Sequence, residues 1–251
     1  MIELQHIVKT YGTHTALHGL DLSVPAGEIF GFIGPNGAGK TTTIKIIGGI
    51  MAPTAGSVEV AGIDMARDPV AAKQCIGFIP DRPYLYEKLT GLEFLQFTAD
   101  VYGVPQDVYE VKALELLDMF ALADWGEELI ESYSHGMKQR LIMCAALLHD
   151  PQVLVVDEPM VGLDPVAIRM VKNLFRDLAA KGVTVFMSTH TLAVAEDICD
   201  RIGIIHRGRL IAEGSMEDLR RDMADGASNL EAVFINLTQA PAEASGEVPQ
   251  K

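Results

Sequence analysis

The sequence predicts an α/β domain built on a mostly parallel sheet. Short apolar runs rich in β-branched residues alternate with longer helical patterns. Several of these runs are continuous rather than alternating, as in strands covered on both faces. A glycine-rich turn also joins one such run directly to a helix.

Ile29-Phe30-Gly31-Phe32-Ile33 reads as a buried strand, and the turn after it opens a helix from Lys40 to Ile50. Ser57–Ala61 and Ile76–Ile79 read as short strands. From about Thr90 to His149 the pattern is almost wholly helical, with Leu92, Leu95, Phe97 and Val101, then Val111, Leu114, Leu117 and Phe120. That stretch reads as an all-helical insertion. Val153–Val156 is a continuous apolar run, and Thr184–Met187 and Ile202–Ile205 look the same. Pro165–Ala180 reads as a helix, with proline in its first turn and Gly182 past its end. These elements place one domain at residues 1–219, with its helical subdomain inserted at about 90–149. Residues 220–251 form a C-terminal extension whose last stretch, Ala240–Lys251, has the composition of a disordered tail.

At 251 residues the chain can bury one large core or two intimate lobes. Its net charge of −14 argues against nucleic acid as a partner, since phosphate binders present a basic face. Arg207–Arg209 and Arg220–Arg221 are too small to supply one. No apolar run approaches the roughly 18–20 residues that span a bilayer, and the first six residues do not resemble a signal peptide. The chain is expected in the cytosol, reaching a membrane through another subunit. Cys75, Cys144 and Cys199 match no metal spacing and read as small buried hydrophobes.

Gly34-Pro35-Asn36-Gly37-Ala38-Gly39-Lys40-Thr41, followed by Thr42, fits G-x-x-x-x-G-K-[ST] between a strand and a helix. Glycines let backbone N–H groups turn inward around phosphates, and the helix N-terminus adds partial positive charge. Lys40 is placed to reach the β- and γ-phosphates of ATP, and the Thr41 hydroxyl to ligate Mg²⁺. Such a loop needs an acid at the end of a neighbouring buried strand. Val153–Val156 runs into Asp157-Glu158-Pro159. Asp157 can contact the metal, directly or through water, and Glu158 can deprotonate the attacking water. Taken alone, Asp-Glu-Pro also reads as an ordinary polar strand exit.

In the order of its motifs, the sequence resembles the ABC (ATP-binding cassette) ATPases over nearly its whole length. After the phosphate loop and the helical insertion comes Tyr133-Ser134-His135-Gly136-Met137-Lys138-Gln139-Arg140, which looks like the family's LSGGQ signature. Val161-Gly162-Leu163-Asp164 looks like the D-loop, Ser188-Thr189-His190 like the switch-histidine segment, and Tyr11 like the aromatic that stacks on adenine. The resemblance implies a P-loop NTPase core with an antiparallel β edge. It also implies that Ser134 and Gly136 face the γ-phosphate held by the other subunit, that His190 orients the water, and that Asp164 links the two sites. Taken singly, Tyr11 reads as a turn aromatic, Ser134-His135-Gly136 as a helix cap, and His190 as a polar strand end.

The sequence departs from the family pattern at three positions. His135 stands for the signature's first glycine, and Met137 for its glutamine. Asp81 follows Ile76–Pro80 where the Q-loop glutamine belongs, and it either faces Mg²⁺ or caps the next turn. The resemblance implies a head-to-tail homodimer or heterodimer with two ATPs at its interface. It further implies transmembrane permease subunits docked around Pro80–Glu87. The Met137–Gln139 ending and the Pro159–Pro165 segment resemble exporter-type cassettes. The alternatives are a soluble ABC ATPase, as in iron–sulfur assembly, and a nucleotide-sensing module without turnover.

Overall fold

The computed structural model describes residues 1–82, 84–221 and 234–235. The extension after residue 221, apart from Phe234 and Ile235, lies outside the described residues, and so does the predicted tail Ala240–Lys251. The strands are β1 (Ile2–Tyr11), β2 (His14–Val24), β3 (Ile29–Ile33), β4 (Ala55–Val60), β5 (Ile63–Asp64), β6 (Ile76–Ile79), β7 (Val153–Asp157), β8 (Thr184–Thr189), β9 (Arg201–His206) and β10 (Arg209–Gly214). The helices are α1 (Lys40–Ile47), α2 (Pro69–Gln74), α3 (Gly91–Tyr102), α4 (Gln106–Met119), α5 (His135–Leu147), α6 (Pro165–Ala180), α7 (Leu192–Ile198) and α8 (Met216–Arg221).

The main sheet has strand order β10-β9-β3-β8-β7-β6. Every pairing from β9 to β6 is parallel, and only β10 runs antiparallel to its neighbour β9. The expected α/β class with a mostly parallel sheet is borne out. Burial explains the continuous apolar runs. In β7, Leu154 and Val156 pack into the core shared with the helices, while Val153 and Val155 pack into the core on the α1 side. A strand covered on both faces has no solvent side on which to place polar residues.

The antiparallel edge is a second sheet, β2-β1-β4-β5. Its apolar side chains Ile2, Leu4, Leu20, Leu22, Val58 and Val60 cover α1 and the β3 face, and the other side meets water. Sequence reading found only β4 of these strands. The pairing of β1 slips between Leu4 and Ile7, where His6 takes a left-handed φ of 51°. One extra residue shifts every later side chain to the opposite face, so the period of two is lost.

Helix boundaries follow local chemistry. Thr90 and Glu93 form a reciprocal capping box at the start of α3, and Gly103 ends it with φ +69°. Asp164 accepts the Val166 and Ala167 N–H groups and starts α6, which runs Pro165–Ala180 as expected. The first helix is shorter than the expected Lys40–Ile50. It stops at Ile47 because Gly48 caps it and Gly49 turns left-handed at φ +65°. Helices α3, α4 and α5 share a core of Leu95, Ala113, Leu117 and Leu141, and α5 also packs on β6.

Candidate functional site

Parallel pairing puts four strand ends on one edge of the main sheet. Ile33 pairs with Thr189, Asp157 with Ser188, and Ile79 with Val156. The segments beyond these ends are Gly34–Gly39, His190, Glu158 and Pro80–Asp81. The crevice outside the carboxyl ends of such strands is where open α/β sheets take ligands.

The Gly34–Gly39 loop is shaped by what cannot carry a side chain. A Cβ on Gly34 would fall 2.3 Å from the Ile205 carbonyl oxygen. Gly37 and Gly39 take φ of +78° and +114°, and the space beside Gly37 is open. No side chain caps the N-terminus of α1, so its first N–H groups point free toward the loop. Lys40 is 9% exposed, and its ammonium donates to the carbonyls of Gly34 at 2.6 Å and Pro35 at 3.2 Å. Burial lowers its pKa, and Glu158 and Asp157 work against that shift. A buried cation, open N–H groups and a glycine with free space form a cradle that suits a polyanion. Tyr11, Asn36, Gly37, Lys40, Thr41 and Thr42 line a cleft of about 310 Å³ there. Tyr11 is 44% exposed, and its hydroxyl points to Met51 Sδ at 2.8 Å.

Beside that cleft lie the acids. Asp157 is buried, and its Oδ1 accepts from the Ser188 hydroxyl at 2.5 Å. Burial raises its pKa; the Ser188 and Thr41 hydroxyls favour the ionised form, whereas Asp81 and Glu158 repel it. Asp81 is exposed and lines a second cleft of about 640 Å³ together with Thr41, Phe78, Tyr84 and Asp157. Among the described residues no three His, Cys, Asp or Glu side chains converge as a complete metal cage. The Thr41 hydroxyl with the Asp157 and Asp81 carboxylates is instead a partial set of hard oxygens. Such a set suits a small divalent cation that takes its remaining ligands from phosphate and water.

Glu158 carries a left-handed backbone, with φ +53°, and its N–H donates to the Ser188 carbonyl at 3.2 Å. That conformation is costly for a residue with a Cβ. It turns the side chain off the strand axis, and Oε1 meets His190 Nδ1 at 2.9 Å. The sequence assigned Glu158 and His190 separate tasks on the attacking water, and the structure brings the two side chains into direct contact.

Ser134, Gly136 and Asp164 do not line the phosphate cleft. Ser134 is the N-cap of α5 and accepts from the Met137 N–H at 3.3 Å, while its side of the helix end is exposed. Asp164 caps α6. Within one chain, then, the residues assigned to ATP do not all line one cleft. Sequence reading missed His14 and Ala16, which line the cleft beside Tyr11, because the hairpin that carries them was not recognised. It also gave no role to Ser188, which holds Asp157. A serine at the penultimate position of an apolar strand was the available signal.

The model of the ABC transporter family matches residues 17–161. The linearmycin resistance ATP-binding protein LnrL of Bacillus subtilis is 39% identical over 219 residues, covering 87% of this chain and 70% of that protein. A solved ATP-binding subunit of an ABC transporter superposes with a TM-score of 0.90 at 35% identity, covering 94% of this chain and 99% of that one. The ATP-binding cassette MJ0796, solved as a post-hydrolysis dimer bound to ADP and Pi, gives a TM-score of 0.77 at 27% identity and covers 86% and 99%. The chain belongs to the ATPase domain family of ABC transporters.

Proposed function

We propose that this chain is the ATP-hydrolysing motor of an ABC exporter and that it works as a head-to-tail dimer. The observation that carries the reading is the Glu158–His190 pair, 2.9 Å apart, beside the buried Lys40 on one sheet edge. A nucleotide-sensing module needs the phosphate cradle but has no use for a strained carboxylate held against an imidazole.

The N–H groups of the Gly34–Gly39 loop and Lys40 bind the β- and γ-phosphates, and Tyr11 offers its exposed ring to the base. Thr41, Asp157 and Asp81 would hold Mg²⁺, which would supply neutralisation of the charge developing on the phosphates. Glu158 takes the proton from the attacking water as its oxygen bonds to the γ-phosphorus. The bond to the β-phosphate oxygen breaks, and ADP and phosphate leave. His190 holds the Glu158 carboxylate in place through Nδ1.

Ser134 and Gly136 act on the nucleotide of a second copy and Asp164 links the two sites, which fits their absence from the chain's own cleft. The first turn of α5 then offers its N–H groups to the γ-phosphate. Membrane-embedded permease subunits dock around Pro80–Glu87, where Tyr84 is 83% exposed and Tyr86 forms an exposed edge-to-face pair with Phe97. Contiguous exposed aromatics of this kind mark contact surfaces. Among the described residues no helix is long and apolar enough to cross a membrane. This reading puts the chain on the cytoplasmic face. Export is supported by the resistance role in the name of LnrL.

Lys40→Ala tests the site. Titration calorimetry is expected to show ATP affinity greatly reduced, and phosphate release to show turnover lost. Unchanged affinity together with normal turnover would remove the loop from the reading.

A further inference from the structure

His135 is the departure from the family pattern that has a visible structural consequence. It is the first residue of α5, exposed to solvent, and its ring lies on Gly162. A Cβ at Gly162 would fall 2.5 Å from His135 Cδ2 and 2.8 Å from Nε2. Gly162 also has φ +79°, so its backbone and its neighbour both exclude a side chain. On the adjacent residue, a Cβ at Gly136 would sit 3.5 Å from the Gly162 carbonyl oxygen. The first turn of α5 and the loop after β7 are therefore packed against each other within one chain.

That loop leads in tight steps to Glu158. The Leu163 N–H donates to Met160 O at 3.4 Å, and the Val161 N–H donates to Glu158 O at 3.3 Å. Glu158 in turn is anchored to Ser188 through its own N–H and to His190 through its side chain. Beyond Gly162, Asp164 fixes the loop to α6 with two hydrogen bonds, of 2.9 and 2.8 Å. The loop is thus pinned at both ends and pressed at Gly162, with the strained Glu158 at its start.

We propose that His135 is a positioning residue that props the Gly162 turn and couples the first turn of α5 to the Glu158 carboxylate. This inference rests on the reading above, in which Ser134 and Gly136 engage the partner's ATP. Engagement there moves α5, His135 carries the movement to Gly162, and Glu158 settles over the chain's own nucleotide. The two sites of the dimer are thereby tied in cis through one imidazole ring acting by its shape.

The test compares His135→Ala and His135→Phe with wild type by phosphate release across ATP concentrations, with melting followed in parallel. His135→Ala is expected to lower kcat about fivefold, leave KM for ATP within about twofold, and bring the Hill coefficient toward 1 at an unchanged Tm. His135→Phe keeps a planar ring of similar reach and is expected to restore kcat to within about twofold of wild type. Normal kcat in the alanine variant, a change confined to KM, or a kcat loss that phenylalanine does not restore would each overturn the coupling role. Glu158→Gln runs beside them as a control. If that variant turns over normally, the hydrolytic reading itself fails, whatever His135 does.

Discussion

Glu158 combines a chemical role with a backbone penalty, and three substitutions separate them. Glu158→Gln keeps the shape and an oxygen at the position that meets His190 at 2.9 Å, but it removes the proton acceptor. A positioned general base is worth about 10²–10⁴ in rate, or roughly 3–5.5 kcal/mol on the barrier. The expected kcat is lower by that factor, with ATP binding retained. The backbone penalty is read from Glu158→Ala against Glu158→Gly. Both lose the His190 contact and the charge that repels Asp157, so those effects cancel between them. The φ of +53° stays strained in the alanine variant and is free of strain in the glycine variant. A left-handed residue with a Cβ costs about 1–2 kcal/mol, partly offset by the greater freedom of glycine in the unfolded chain. The net is roughly 1 kcal/mol, so the glycine variant is expected to melt about 2–4 °C above the alanine variant, with both inactive. Phosphate release at saturating Mg-ATP and scanning calorimetry read the two effects. A glutamine variant within about fivefold of wild type refutes the general base. Equal melting of the alanine and glycine variants refutes the backbone strain.

Three further substitutions probe the rest of the site. Asp81→Asn is expected to raise the Mg²⁺ concentration for half-maximal turnover and to leave metal-free ATP binding equal or tighter, because a carboxylate is lost beside a triphosphate; overlapping Mg²⁺ titrations would return Asp81 to a turn residue. Asp157→Asn abolishes turnover yet is expected to stabilise the ligand-free fold at neutral pH. Burial raises the Asp157 pKa, so the folded state binds its proton more tightly than the unfolded state. Stability of the wild type therefore falls as pH rises from about 4, the unfolded carboxylate value, through the raised folded value. The melting gap between variant and wild type opens over that range and closes below it; a gap independent of pH contradicts the assignment. Ser134→Arg is expected to leave ATP binding to the monomer intact but to block dimerisation and turnover, as gel filtration with Mg-ATP and phosphate release would show.

The parts of the fold legible in the sequence were those whose pattern is purely local. Strands β3, β6, β7 and β8 announce themselves because burial on both faces leaves unbroken apolar runs. Helix α6 is bounded by its own Asp164, Pro165 and Gly182. The antiparallel edge was implied by the family resemblance, but most of its strands were not legible in the local pattern, because the β1 bulge at His6 and the polar residues of the exposed face break the alternation. At the site, the glycine spacing and the Asp157-Glu158 pair name the phosphate loop and its acids. Spacing cannot say that Ser188 holds Asp157, that Glu158 turns left-handed onto His190, or that His135 covers Gly162. Those contacts join segments tens of residues apart and are made only when parallel strands bring their ends to one edge.

If each ATP is hydrolysed between two chains, variants that damage opposite halves of the site must complement each other. Chains carrying Lys40→Ala lack the phosphate loop's cation, and chains carrying Ser134→Arg lack a usable signature. Each is expected to be inactive alone. In a mixed dimer the intact Lys40 of one chain faces the intact Ser134 of the other, so one of the two sites is complete. Equal mixing makes about half the dimers mixed, so phosphate release is expected to recover to at most about a quarter of the wild-type rate, and to less where the two sites are coupled. A mixture that stays as inactive as its components, in the presence of Mg-ATP and at concentrations where wild type turns over, contradicts a site shared between chains.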